Sequence, residues 1–110
     1  MKVTTKNQNG IQIVEVHGRI DPSTTASFEQ ELNSIISKPE VRIVLNMQNV
    51  EYISSSGLRV FLTALKKVKA GKGDLKLCCL NSNVQKIFQI AGFVQLFEIL
   101  NTEEEAVQKL

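Results

Sequence analysis

Three hydroxyls stand in a row at Ser54-Ser55-Ser56, directly before Gly57 and an apolar helical pattern. A serine at a helix start accepts a hydrogen bond from a first-turn amide, and one hydroxyl is enough for that task. The others are then free for chemistry. A helix N-terminus offers unpaired N–H groups and the positive end of its dipole, which together suit a phosphate. A phosphoserine carries about −1.5 to −2 charges at neutral pH, enough to disturb any partner docked on it. The run thus reads either as plain capping or as a covalent switch. Gly57 is expected to let another protein approach the backbone closely.

Little else in the chain could react. His17 is the only histidine. A serine nucleophile needs a neighbouring base, and the Gly-x-Ser-x-Gly elbow is missing because Ser54 stands two places before Ser56. The chain is not expected to be an enzyme. Zinc sites need several His or Cys ligands, so no metal and no cofactor are expected. Cys78 and Cys79 are adjacent in an apolar run. Successive strand side chains point to opposite faces, which argues for reduced thiols without a mutual disulfide. Gly71-Lys72-Gly73 lacks the spacing of a phosphate-binding loop and reads as a turn. Six cations and one carboxylate lie between Arg59 and Lys76. They make a solvated face or a docking patch for an acidic partner.

Composition bounds the partners. A net charge of +2 and 5% aromatic residues give no basis for nucleic-acid binding. No apolar run approaches the roughly 18 residues of a membrane span. The N-terminus lacks the apolar segment of a signal peptide. A cytoplasmic chain without a membrane partner is expected.

The elements that must hold these residues are legible in outline. A chain of 110 residues with 43% hydrophobic content suits one globular domain, residues 1–110. Val3–Lys6 and Ile11–His17 read as strands joined by Asn7-Gln8-Asn9-Gly10, with Asn-Gly as the hairpin signal. Gly18-Arg19-Ile20-Asp21-Pro22 breaks the pattern. A helix follows from about Ser23–Thr25, with a hydroxyl cap and with Phe28, Leu32, Ile35 and Ile36 on its inner face; Pro39 stops it. Val41–Leu45 is a central strand. A second helix runs from about Gly57 to Ala70, burying Leu58, Phe61, Leu62, Leu65 and Val68. Leu75–Leu80 is a strand. Asn81-Ser82-Asn83 caps a third helix with Val84, Ile87, Phe88 and Ala91 inside and Gly92 as its stop. Leu96–Leu100 is a last strand, and Thr102 with Glu105 forms a capping box for a terminal helix. A hairpin followed by alternating helices and strands predicts an α/β fold, a small mixed sheet covered by about four helices.

Three separated stretches carry a resemblance over nearly the whole chain: Gly18-Arg19-Ile20-Asp21, Val44-Leu45-Asn46 and Tyr52-Ile53-Ser54-Ser55-Ser56-Gly57-Leu58. With the late Ala91-Gly92-Phe93 and Phe97 they resemble the STAS domain of bacterial anti-sigma factor antagonists. The resemblance implies a binding module that works by partner switching. Unphosphorylated, such a module binds an anti-sigma factor that is also a serine kinase and so frees a sigma factor. The kinase holds ATP and phosphorylates the residue before the motif glycine; a PP2C-type phosphatase reverses this. Carried over, the phosphosite is Ser56, with Ser55 as the alternative. The partner surface comprises Asp21, Ser23, Thr24, Ser54, Ser55, Gly57, Leu58 and Arg59. Two positions depart from the family pattern, Ser54 and Asn46, each standing where the family has an acidic residue. Both replacements are expected to remove negative charge near the acceptor. Two other readings remain: a constitutive STAS scaffold in a sensor or transport assembly, and a small-molecule or nucleotide binder.

Overall fold

The computed structural model describes residues 1–110. It begins with a hairpin of β1 (Lys2–Gln8) and β2 (Ile11–Ile20). Only Asn9 and Gly10 form the turn, and both have positive φ, 54° and 83°. Such a turn matches the natural twist of paired strands, so both strands extend further than composition suggested. Then follow α1 (Thr25–Ile36), β3 (Arg42–Ile53), α2 (Ser55–Ala70), β4 (Asp74–Cys78), α3 (Ser82–Ile90), a 3₁₀ turn at Phe93–Gln95, β5 (Ile99–Leu100) and α4 (Glu103–Gln108). No helix is long and apolar enough to cross a membrane.

The five strands lie side by side in chain order, β1-β2-β3-β4-β5. β1 runs antiparallel to β2, and every later pair is parallel. Successive right-handed crossovers that step in one direction put their helices on one face of the sheet. Accordingly α1, α2 and α3 share a face and build the main core. Phe28 of α1, Phe61 of α2 and Phe88 of α3 form a chain of ring contacts, with centroids 5.2 and 5.8 Å apart. They pack on Val14, Val16, Ile43, Leu45, Met47, Leu75 and Leu77 of the sheet. The opposite face is covered by α4, which lays Ala106 on Ile11, Ile13, Val44 and Cys78.

Several boundaries differ from the sequence expectation, each for a local reason. β2 passes through Gly18, whose φ of 100° absorbs an irregularity in the pairing instead of ending the strand. β3 does not stop at Leu45. It carries a bulge after Asn46, where Glu15 pairs with Asn46 but His17 pairs with Asn49. The Asn46 side-chain oxygen accepts the Gln48 N–H at 3.0 Å, replacing a lost ladder bond. β4 ends at Cys78 because Cys79 turns to φ 64°. The Leu96 and Phe97 N–H groups both close back on the Phe93 carbonyl at the end of the 3₁₀ turn, so of the expected last strand only Ile99 and Leu100 pair, with Leu77 and Cys78.

α2 starts at Ser55, two residues before the expected Gly57, and buries Gly57, Val60, Phe61, Ala64 and Val68. Leu58, Leu62 and Leu65 are only half-buried. The helix is rotated because Gly57 faces inward, against Ile20 and Ile53. On α3, Val84 and Phe88 are inside, whereas Ala91 is exposed. Gly92 ends α3 with φ 76°, and Thr102 accepts the Glu105 N–H as cap of α4.

Candidate functional site: a hydroxyl chain at the start of α2

β2 and β3 end side by side, and the Ser54 N–H donates to the Ile20 carbonyl at 2.8 Å. This bond joins the turn into α2 to the turn into α1. Gly57 makes the approach possible. A Cβ there would lie 2.7 Å from Cγ2 of Ile20 and 3.0 Å from Cγ2 of Ile53. The expectation that Gly57 opens the backbone to a partner is therefore corrected. It is buried, and its missing side chain admits the chain's own strands.

The three serines divide the labour. Ser54 caps the helix, its Oγ accepting the Gly57 N–H at 3.2 Å, and it is only 8% exposed. Ser55 is exposed. Ser56 is half-buried, with its Oγ 3.0 Å from Ser54 Oγ and 3.1 Å from Thr25 Oγ1. Thr25 Oγ1 donates to the Asp21 carbonyl at 2.7 Å. A hydroxyl has one hydrogen to give. Thr25 spends its hydrogen on Asp21, so Ser56 donates to Thr25 and Ser54 donates to Ser56. The result is a directed chain from the Gly57 amide through Ser54, Ser56 and Thr25 to the Asp21 carbonyl. Ser56 Oγ is left with one lone pair that no protein group fills.

The Asp21 loop is held as tightly. Asp21 Oδ1 accepts from the Ser23 N–H at 2.9 Å and the Ser23 hydroxyl at 2.6 Å. These bonds, the Ser23 hydroxyl foremost, hold the Asp21 carboxyl below the usual carboxylate range. The expected hydroxyl cap of α1 is not formed. Thr24 Oγ1 instead accepts the Asp21 N–H and donates to the Arg19 carbonyl. Arg19 lies over the Tyr52 ring at 4.8 Å and reaches the Asp21 carboxylate at 4.0 Å. The surface around Ser56 thus carries Asp21, Ser23, Thr24, Ser55, Leu58 and Arg59, with Arg59 exposed and Leu58 half-buried. Thr25 was not singled out in the sequence because it reads only as one of several hydroxyls at a helix start. Its role needs the contact with Ser56, 31 residues away.

Other expected features lie elsewhere. Asn46 is not beside the acceptor. It sits on the α4 face, where its Nδ2 donates to Glu103 at 2.9 Å. Asn in place of an acid therefore avoids a carboxylate clash with Glu103 and says nothing about charge at Ser56. Three of the six cations of the basic run have partners within the molecule. Lys67 donates to Asn33, Lys69 pairs with Asp74, and Lys76 pairs with Asp74 and Glu98, each pair at 2.9 Å. His17 lies by Glu15, 3.6 Å away, and is not among the partners of Ser56. Cys78 and Cys79 are both free thiols. Burial, reinforced by Cys79, pushes the Cys78 thiol up, so it stays protonated. The largest concavity, about 640 Å³, is lined by Met1, Lys2, His17 and Asn81 among others and does not include the serine run.

The STAS domain model matches residues 2–106. The chain belongs to the STAS domain family. A Bordetella bronchiseptica protein named as a candidate anti-sigma factor antagonist, BtrV, is 36% identical over 106 residues, covering 96% of this chain and 91% of that protein. A crystal structure of a similarly named candidate anti-sigma factor antagonist from Thermotoga maritima superposes with a TM-score of 0.91 at 20% identity, covering 97% of this chain and 92% of that one. The anti-sigma factor antagonist SpoIIAA in its unphosphorylated form superposes with a TM-score of 0.82 at 21% identity, covering 98% and 95%. SpoIIAA of Bacillus in its phosphorylated form also superposes, with a TM-score of 0.73, 20% identity and 98% coverage of both chains.

Proposed function

We propose that this STAS domain is an anti-sigma factor antagonist that acts by partner switching in the cytoplasm. Unphosphorylated, it binds an anti-sigma factor serine kinase and so frees a sigma factor. Phosphorylation of Ser56 switches it off, and a PP2C-type phosphatase restores it. The kinase brings the ATP. In the transfer, a bond forms between Ser56 Oγ and the γ-phosphorus, the bond to the ADP oxygen breaks, and the Ser56 proton leaves. The chain itself supplies no catalysis, only the surface and the acceptor. The names of its relatives support this reading.

The observation that carries the choice of Ser56 is its Oγ, held by Ser54 and Thr25 in the first turn of α2 with one lone pair unfilled. No acidic residue occupies that first turn. A phosphate there gains from the helix dipole and meets no carboxylate of its own helix. Ser55 is exposed and lacks such a hold, so it is the second choice. The switch is local electrostatics, since the added charge would face the nucleotide phosphates of a docked kinase. A penalty of about 3–4 kcal/mol weakens binding several-hundredfold.

The test incubates the chain with its partner kinase and ATP and maps phosphate by mass spectrometry. Phosphate on Ser56 is expected; phosphate on Ser55 or on no serine overturns the assignment. Calorimetry with the same partner is expected to show Ser56→Ala binding as wild type and Ser56→Asp binding weakly. Equal affinity of the two variants would favour a constitutive scaffold instead.

A further inference from the structure

We infer that Thr25 is a positioning residue of the switch, a hydroxyl that accepts from Ser56 in the unmodified chain and donates to the phosphate once Ser56 is phosphorylated. The inference rests on Ser56 being the phosphosite.

The hydrogen inventory carries the first half. Because Thr25 Oγ1 gives its only hydrogen to the Asp21 carbonyl, it can only accept from Ser56. That draws the Ser56 hydrogen toward α1 and away from the open side of the oxygen. With Ser54 donating from its other side, Ser56 is confined to one rotamer. The unfilled lone pair is the one an incoming phosphorus would meet.

The second half follows from what phosphorylation removes. A phosphoserine ester oxygen has no hydrogen, so Thr25 loses its donor and keeps a hydroxyl free to turn. Turning costs little. The Asp21 carbonyl already accepts from the Thr24 and Thr25 backbone N–H groups, both at 2.9 Å. The Thr25 hydroxyl is a third donor to that oxygen, which stays hydrogen-bonded through the two N–H groups when the hydroxyl turns away, while a phosphate dianion next to it is a far stronger acceptor. Thr25 stands at the first position of α1, so the state of Ser56 is passed to the Asp21 loop through a single hydroxyl rotation.

The experiment installs phosphoserine at position 56 by genetic code expansion, so it does not depend on any kinase. Failure of the kinase assay above and failure here are separate results. The second pKa of the phosphate is followed by ³¹P NMR in the full chain carrying Thr25, Thr25→Val or Thr25→Ser. A donor to the dianion lowers that pKa, so Thr25→Val is expected to raise it by about half a unit to one unit. Thr25→Ser keeps the hydroxyl and is expected to match wild type. Asp21, Arg19 and Arg59, the charged groups of the surface described above, are the same in all three, so the difference reports the hydroxyl. In the unphosphorylated chain, the Ser56 Hα–Hβ couplings are expected to show one rotamer in wild type and Thr25→Ser, and averaging in Thr25→Val. An unchanged phosphate pKa in Thr25→Val, a Thr25→Ser variant that behaves as Thr25→Val, or a single Ser56 rotamer that survives Thr25→Val would each overturn the inference.

Discussion

Replacing Asn46 by aspartate restores the acidic residue that the family pattern has at this position, and it should destabilise this chain. Asn46 is 8% exposed and uses both ends of its amide. Its oxygen accepts from Gln48 N and its nitrogen donates to Glu103 Oε2 at 2.9 Å. Aspartate keeps the first bond and turns the second into two carboxylates face to face. Two like charges about 4 Å apart repel by roughly 4 kcal/mol at the effective dielectric of a partly wet site. Lys6 lies 3.4 Å from Glu103, but its side chain is 58% exposed and offsets only part of this. With side-chain relaxation, a net loss of about 2–3 kcal/mol is expected at pH 7. For a domain of this size that lowers the melting temperature by roughly 10–20 °C. The sign of the pH dependence is fixed. Repulsion raises the carboxyl pKa in the folded state, so the penalty is full only above that raised folded value, fades as pH falls through it, and vanishes below the unfolded value of about 3.9. Urea unfolding of wild type and Asn46→Asp at pH 7 and pH 4 should therefore converge on acidification. Adding Glu103→Gln gives the new aspartate a donor and should restore most of the loss, whereas phosphorylation of Ser56 should be unaffected throughout. An Asn46→Asp chain as stable as wild type at pH 7, or a loss that Glu103→Gln leaves untouched, would refute the reasoning.

Gly57→Ala gains about 1 kcal/mol of helix propensity but forces a methyl to 2.7 Å from the stiff Cγ2 of Ile20, an overpacking cost of about 1–3 kcal/mol. A lower urea midpoint is expected, and an unchanged or higher one would show that α2 shifts freely at its start. The Lys76 network should give acid sensitivity. For Asp74 burial alone would raise the pKa, yet the hydrogen bonds from Lys69 and Lys76 outweigh it and hold the carboxyl below the ordinary 3.8; a hydrogen bond from Lys76 holds Glu98 below the ordinary 4.5. Depressed carboxyl pKa values stabilise the fold above the unfolded values and lose that contribution as pH falls through the folded ones. Stability measured by denaturant from pH 6 to pH 3 should drop in wild type and drop less in Lys76→Met, where the shared cation is gone; parallel curves would count against the network. Ser54→Ala removes the cap of α2 and should cost about 1 kcal/mol in thermal unfolding, with the Gly57 amide losing its acceptor.

The sequence by itself determined the kind of fold and the place of the serine run that we propose as the switch. Asn9-Gly10, the helical stripe around Phe28 and Leu32, the Asn81 cap and the Thr102–Glu105 pair are local signals, set by backbone dihedrals and by hydrogen bonds spanning three or four residues. They survive any packing. The serine run before Gly57 was legible for the same reason, because a helix start needs a cap within three residues. What lay beyond reach depended on neighbours distant in the chain. Gly57 looked open until Ile20 and Ile53 closed on it. Asn46 looked like a charge lost near the acceptor until the alternation of β3 put it on the opposite face, against Glu103. The cations from Arg59 to Lys76 read equally as a solvated face or a patch, and only folding shows that three of them meet Asn33, Asp74 and Glu98. Thr25 looked like one more hydroxyl at a helix start until the parallel pairing of β2 with β3 set the starts of α1 and α2 side by side. Only the tertiary structure could decide these, because a hydroxyl, an amide or a missing Cβ acquires its role from the one group that folding places against it.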